Sequence, residues 1–360
     1  MTVVVAYYGG WKTPPEPIVT WHGSNPWGLD PSNNVYMANY PERFPLYGAI
    51  NEDDQNVIDQ HLLDAESAGV GVFAVNWYRD DYQSYPVNRM ETSTVANSVK
   101  FCIQWSNHYT SMSPTAANKP YLFEGVRRAA LRMSNPRYWY KEGKPVLILF
   151  SGTHLDDVIR TSLGQTIAYT PTTADRNAII SDIRNIVGNV LSGDLTGGIV
   201  GNTVSSSANP GPYLVIMSTS WLSVSGVDAS TNYNIRSGTF NGTSRFAHSF
   251  SEMKEAAEKS WVSNDTIARA NGKKSWPCLM SGWDKRPWGG TVEDLLADNC
   301  QPDISQLREH CVRARGFANT PTADNTVFVY AWNEFGEGGW VQPTVGIGHA
   351  RLDALKLLSE

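Results

Sequence analysis

Short apolar runs bounded by Gly, Pro or Asn recur along the chain at residues 3–8, 70–77, 99–105, 146–150, 213–218, 277–282 and 326–331. Such runs, rich in β-branched and aromatic residues, predict strands. Amphipathic patterns of helical period lie between several of them, at residues 51–68, 174–191, 251–270 and 304–317. The first is the clearest. Asn51 can cap it, Glu52, Asp53 and Asp54 suit the positive end of the helix dipole, Val57, Ile58, Leu62 and Ala65 form one face, and Gly69 ends it. Strands alternating with helices predict a parallel sheet covered by helices. Seven such strands over 360 residues fit a closed barrel better than an open sheet, with an eighth near residues 228–235. The expected fold is α/β, a single (β/α)8 TIM barrel over residues 1–360. Long loops decorate it, among them the Gly, Ser, Thr and Asn-rich stretch 192–212.

Composition narrows the partners. Charged residues make up 18% of the chain and the net charge is −6, which leaves no basic surface for nucleic acid or an anionic membrane. Thirteen Trp and sixteen Tyr supply flat faces with polar tips, which suit sugar rings and point to a carbohydrate partner. Cys102, Cys278, Cys300 and Cys311 show no zinc or redox spacing and are expected as free, mostly buried thiols. Residues 2–8 read as a strand with no basic n-region, so neither a secretory leader nor a membrane span is expected. The expected location is cytoplasmic or virion-associated.

Chemistry concentrates in AWNEFGEGGWVQP, residues 331–343, which follows the last predicted strand. Glu334 and Glu337 stand three residues apart among Trp332, Phe335 and Trp340, and Gly336, Gly338 and Gly339 break any regular structure. An acidic pair of this spacing is often a solvated loop, but the Trp and Asn residues around it argue for a site. Glycosidic cleavage needs one carboxyl that holds a proton for the leaving oxygen and one that stays ionised. Further aromatic and polar residues fall at predicted strand ends, the catalytic face of a barrel. They are Tyr8, Trp11, Asn76, Trp77, Tyr78, Trp105, Asn107, His108, Ser281, Trp283, Asp284, Trp332 and Asn333. Trp11, Trp77, Tyr78, Trp105, Trp283 and Trp340 are expected to line an open cleft. His108 has no second ligand at metal spacing, and Gly197, Gly198 and Gly201 precede no basic residue. No metal or cofactor is expected.

The collinear set AYYGGW (6–11), AGVGVFAVNWY (68–78), KFCIQWSNHY (100–109), GKPVLILF (143–150), SGWD (281–284) and AWNEFGEGGWVQP resembles glycoside hydrolase family 99. It resembles still more the bacterial WbsX-like proteins with a family 99-like domain. The resemblance implies a retaining, endo-acting hydrolase of α-linked sugars. In it Glu334 would draw the proton from the sugar 2-hydroxyl, whose oxygen attacks the anomeric carbon, and Glu337 would be general acid and then base. Burial against Trp332 or Trp340 is expected to raise the pKa of Glu337 while Glu334 stays ionised. Tyr8, Trp11, Trp77, Tyr78, Trp105, Asn107, His108, Trp283, Asp284, Trp332, Asn333, Trp340 and Gln342 would bind substrate. His108 and Gln342 stand where relatives carry glutamate, which bears on the choice of sugar. The resemblance also admits polysaccharide assembly of the WbsX type. A glycan-binding or structural barrel in a larger assembly such as a phage tail is the third reading.

Overall fold

The computed structural model describes residues 1–11, 27, 37–78, 84–107 and 118–360. His108 lies outside the described residues. Eight parallel strands form the barrel: Thr2–Tyr7, Val72–Trp77, Lys100–Trp105, Lys144–Leu149, Tyr213–Ile216, Ala229–Ser230, a seventh in two pieces (Lys274–Ser275 and Cys278–Met280), and Thr326–Tyr330. Each pairs with its predecessor, and the eighth pairs with the first through Thr2 opposite Thr326 and Val5 opposite Val329. The seventh strand carries the sheet around. Lys274–Ser275 pairs with the sixth strand and Cys278–Met280 with the eighth. Pro277 has no N–H to give, so the strand breaks there. Its neighbours keep their bonds, with Trp276 N donating to Ser230 O at 2.9 Å and Phe328 N to Pro277 O at 2.9 Å. The barrel strands read as continuous apolar runs because both faces are covered, one by the interior and one by helices.

The sixth strand, only Ala229–Ser230, falls inside the stretch where the missing strand was expected. Helices α1 (Gln55–Ser67), α5 (Thr173–Leu191), α6 (Phe250–Ala270) and α7 (Ile304–Ala318) match the amphipathic patterns. The start of α1 differs. Asp54 is the cap, accepting from Asn56 N at 2.9 Å, while Glu52 is fully buried and accepts from Trp11 N at 2.9 Å. Helices α2 (Tyr85–Thr92), α3 (Lys119–Arg132), α4 (Gly152–Ser162) and α8 (Ala350–Leu355) were not expected. The first three open on Pro86, Pro120 and Gly152, which read as breakers but are tolerated in a first helical turn. Asn118 and Ser151 cap α3 and α4. The four cysteines are free and buried. Among the described residues no helix is long and apolar enough to cross a membrane.

Candidate active site

The stretch after the eighth strand folds into a tight antiparallel hairpin, with Asn333 opposite Trp340 and Glu334 opposite Gly339. The glycines are dictated by close approach. A Cβ on Gly339 would lie 2.1 Å from the Tyr330 ring, and one on Gly338, whose φ is +81°, would lie 2.2 Å from Asp284 N. Asn333 is buried and exchanges two bonds with the end of the first strand, each 2.8 Å, from Tyr8 N to its Oδ1 and from its Nδ2 to Tyr8 O. Trp11 Nε1 adds a bond to Asn333 O at 2.8 Å. The far side of the hairpin is held by Asp284 N, which donates to Glu337 O at 2.7 Å, and by Gln301 Nε2, which donates to Gly338 O at 2.8 Å. Asp284 is itself buried and ion-paired to Arg43 and Arg286. Arg43 Nη1 reaches the carbonyls of Asp284 at 3.0 Å and Phe335 at 3.1 Å.

Each glutamate has its own tyrosine. Tyr233 Oη donates to Glu334 Oε1, and Tyr330 Oη donates to Glu337 Oε2 at 2.5 Å. The two phenol rings meet edge to face at 5.1 Å. Behind Tyr233 a chain of amides fixes its direction: Asn76 Nδ2 donates to Tyr233 Oη at 2.9 Å, and Gln104 Nε2 donates to Asn76 Oδ1. Strands one, two, three, four, six and eight thus present Tyr8, Asn76, Tyr78, Ser106, Phe150, Tyr233, Asn234, Glu334 and Glu337 to one cavity of about 220 Å³, with Trp288 from the loop after the seventh. Trp77, Trp105, Trp283 and Glu334 stand at the same end of the barrel, as the strand-end pattern predicts.

The cleft wall is not the one expected. Among the described residues of the substrate-binding set, only Tyr8 and Tyr78 line the cavity. Trp11, Trp77, Trp105, Trp283, Trp332 and Trp340 are at most 4% exposed and pack against neighbours. Trp77 and Trp105 meet edge to face at 6.1 Å, and Trp105 lies over Gly125 of α3, where a Cβ would come within 2.4 Å of its ring. Trp332 packs on Phe73 at 5.0 Å, Trp283 stacks on Tyr330 at 6.2 Å, and Trp340 lies under the Arg351 guanidinium at 3.9 Å. Asn107 clamps the third strand to the fourth, its amide exchanging two 2.7 Å bonds with the Ser151 backbone. Gln342 is buried against His61 at 3.0 Å, away from the cavity. Asn333 and Asp284 hold the hairpin rather than face the cavity. Tyr233, Phe150, Asn234, Ser106 and Trp288 take the places on the wall. Their one signal in the sequence is position, since Phe150 and Tyr233 follow strand ends. We expect Trp77→Ala and Trp105→Ala to destabilise the fold by about 3–5 kcal/mol, the usual cost of deleting a buried Trp, measured by denaturant unfolding. Full stability with weakened ligand binding would return these rings to the cleft.

Burial raises the pKa of both carboxyls, and at Glu334, 4% exposed, the charge of Glu337 raises it further against the Tyr233 hydrogen bond. At Glu337, which is partly exposed, burial is opposed by the Tyr330 hydrogen bond and by the charges of Arg236 and Lys285. The rise at Glu337 agrees with the expectation from sequence. Glu334, expected to stay ionised, is also driven toward its protonated form, because it is buried beside a second carboxyl. Among the described residues no group of three or more His, Cys, Asp or Glu is placed to hold a metal.

The barrel fold is shared with solved glycoside hydrolase structures. The chain superposes on the family 99 endo-α-mannosidase of Bacteroides thetaiotaomicron with a TM-score of 0.63 at 13% identity, over 99% of this chain and 96% of that one. A second solved structure, described as a glycoside hydrolase-like protein, gives a TM-score of 0.64 at 14% identity, over 99% and 92%. The sequence model of the family described as Glycosyltransferase WbsX matches residues 35–355, and the chain belongs to that family. The protein WxcX of Xanthomonas campestris pv. campestris is 31% identical over 81 residues, 22% of this chain. That match spans 12% of the length of WxcX.

Proposed function

We propose that the protein is a retaining, endo-acting glycosidase of α-linked glycans that uses the sugar 2-hydroxyl as internal nucleophile. The observation that carries this reading is the pair of carboxyls on one cavity wall, each aimed by its own tyrosine. Glu334 takes the 2-hydroxyl proton as the oxygen closes on the anomeric carbon, and Glu337 protonates the departing glycosidic oxygen. Glu337, now ionised, then draws a proton from the incoming hydroxyl that opens the anhydro-sugar, and Glu334 returns its proton to the 2-oxygen. No charge is left over. The reaction requires the pair's proton on Glu337 when substrate is bound, and burial raises the pKa of both carboxyls in the free protein. A substrate hydroxyl donating to Glu334 supplies the bias, since a hydrogen bond to the charged form lowers a carboxyl pKa.

The family's description as glycosyltransferase supports a second reading with the same groups. If the incoming hydroxyl belongs to a sugar, the product is a longer chain; if it is water, a shorter one. A panel of α-linked oligosaccharides and polysaccharides, mannans first, assayed for new reducing ends with and without an acceptor sugar, separates the two. Cleavage that Glu334→Gln abolishes supports the proposal, and no change in any glycan of the panel counts against it.

The pH dependence follows from the buried pair. It is active with one proton between its two members, so kcat/KM should rise with pH as the first proton leaves and fall as the second leaves. Burial and the charge of Glu337 raise the Glu334 pKa, so the falling limb should lie well above the ordinary glutamate range of about 4–5. Tyr233→Phe removes a hydrogen bond that lowers the Glu334 pKa, so that limb should move to still higher pH. A falling limb unmoved by Tyr233→Phe would remove Glu334 from the role of base.

A further inference from the structure

A second cavity, of about 250 Å³, lies between helix α1, the loop that leads into it and the chain just past the hairpin. Backbone bonds pin that loop to the chain past the hairpin, from Leu46 N to Pro343 O at 2.9 Å and from Val345 N to Phe44 O at 2.8 Å. The cavity is similar in size to the one that holds Glu334 and Glu337, and the two have no lining residue in common. One apolar cluster joins them, with Tyr8 and Trp288 from the first wall and Ile50 and Val57 from the second packed in it.

Gln342 lies on the wall of the second cavity and is 2% exposed. Its Nε2 is 3.0 Å from His61 Nε2, and its Oε1 has no hydrogen-bond partner among the described residues. His61 also lines the cavity and is fixed from behind by Tyr7 Oη, 2.9 Å from its Nδ1. Burial pushes the pKa of His61 down to about 3, so the ring is neutral. Whichever way the Gln342 amide is turned, His61 satisfies only one of its two ends. A buried amide end without a partner is costly, and a ligand that supplies one removes the cost. A hydroxyl suits either end, because it both donates and accepts.

The rest of the wall has the same character. Asn56 and Gln60 add two more amides, Tyr47, 54% exposed, adds an aromatic ring, and Ile50 and Val57 add aliphatic surface. Among the described residues no Lys, Arg, Asp or Glu lines the cavity. An uncharged wall of amides beside aromatic and aliphatic faces suits a ligand that carries hydroxyls and C–H faces, and it offers an anion no counter-charge.

We propose that this cavity is a second, non-catalytic site for one neutral sugar residue, with a hydroxyl of the sugar bonded to the unpartnered end of the Gln342 amide. The preference for a neutral, hydroxylated ligand rests on the wall, and the choice of a sugar rests on the reading of the protein as a glycosidase. The site would give the protein a hold on a glycan apart from the place where it is cut.

Nitrogen–proton spectra of the full-length protein, titrated with the methyl α-glycosides of mannose, glucose and galactose and with cyclohexanol, test the site. The side-chain amide signals of Gln342 report this cavity, and the indole signal of Trp288 reports the catalytic one separately. At least one glycoside should shift the Gln342 signals saturably, with a Kd at least about tenfold below that of cyclohexanol, the scale of one or two hydrogen bonds. Ala49→Trp fills the cavity from an exposed position on the loop and should weaken that binding at least about tenfold, read on the same Gln342 signals. Gln342→Leu should weaken it as far, read on the Gln60 amide, and Ala49→Trp decides the matter if Gln342→Leu does not fold. No saturable shift with any of the three glycosides, an equal response to cyclohexanol, or binding that Ala49→Trp leaves intact would overturn the proposal. A protein that binds a glycoside here and cleaves no glycan keeps the site and loses the glycosidase mechanism, whereas one that cleaves glycans and shows no shift at Gln342 loses the site alone.

Discussion

Glu334→Gln and Glu337→Gln should each lower turnover at least about a hundredfold with the fold intact, the usual scale for a lost general acid or base. The two losses should differ in kind. Glu337 is assigned to protonate the departing oxygen, so Glu337→Gln should recover part of its rate on a glycoside with an acidic phenol as leaving group. Glu334→Gln should not recover, because its defect lies in making the nucleophile. The same variant should melt at higher temperature than the wild type, by a margin that depends on pH. The raised folded pKa of Glu334 means its favourable contribution is full at acid pH and is lost as pH rises through that value. Glutamine does not titrate, so the advantage of Glu334→Gln should grow from acid to alkaline pH. Steady-state kinetics on natural and activated substrates, with melting curves across pH, read both effects. Equal rescue of both variants by the activated substrate would contradict the division of labour.

Arg43→Met should cost about 3–5 kcal/mol of stability and most of the activity. Arg43 is 2% exposed, its partner Asp284 is fully buried, and Arg43 also ties down the carbonyls of Asp284 and Phe335. Removing one partner of a buried ion pair strands the other charge, which is where the large penalty arises. Among the described residues, Arg286, more than half exposed, is then the only cation left on Asp284. Because Asp284 N holds the Glu337 carbonyl, a loosened Asp284 also frees the acid, and kcat should fall more than KM rises. Arg43→Met that unfolds at the same denaturant concentration as the wild type would show that the Arg43–Asp284 pair does not brace the hairpin.

The barrel is legible in the sequence where its strands are long and buried on both faces. The runs at 3–8, 70–77 and 326–331 mark the first, second and eighth strands within a residue or two. The sixth strand is two residues long, too short for an apolar run, and only the count to eight points to it. That brevity also hid Tyr233, three residues beyond its end. The glutamates announce themselves because both lie in one hairpin, whereas the fate of each Trp depends on distant partners. Trp105 is buried because Gly125, twenty residues later, leaves room for its ring, and no local pattern records that. The raised pKa of both carboxyls has the same origin, since only folding buries them side by side.

The most direct test of the central claim uses whichever α-linked glycan the wild-type protein cleaves, together with its counterpart lacking the 2-hydroxyl on the residue donated at the broken bond. The account predicts that the parent is turned over while the 2-deoxy compound binds and is not cleaved. Cleavage of the two at the same rate would contradict it.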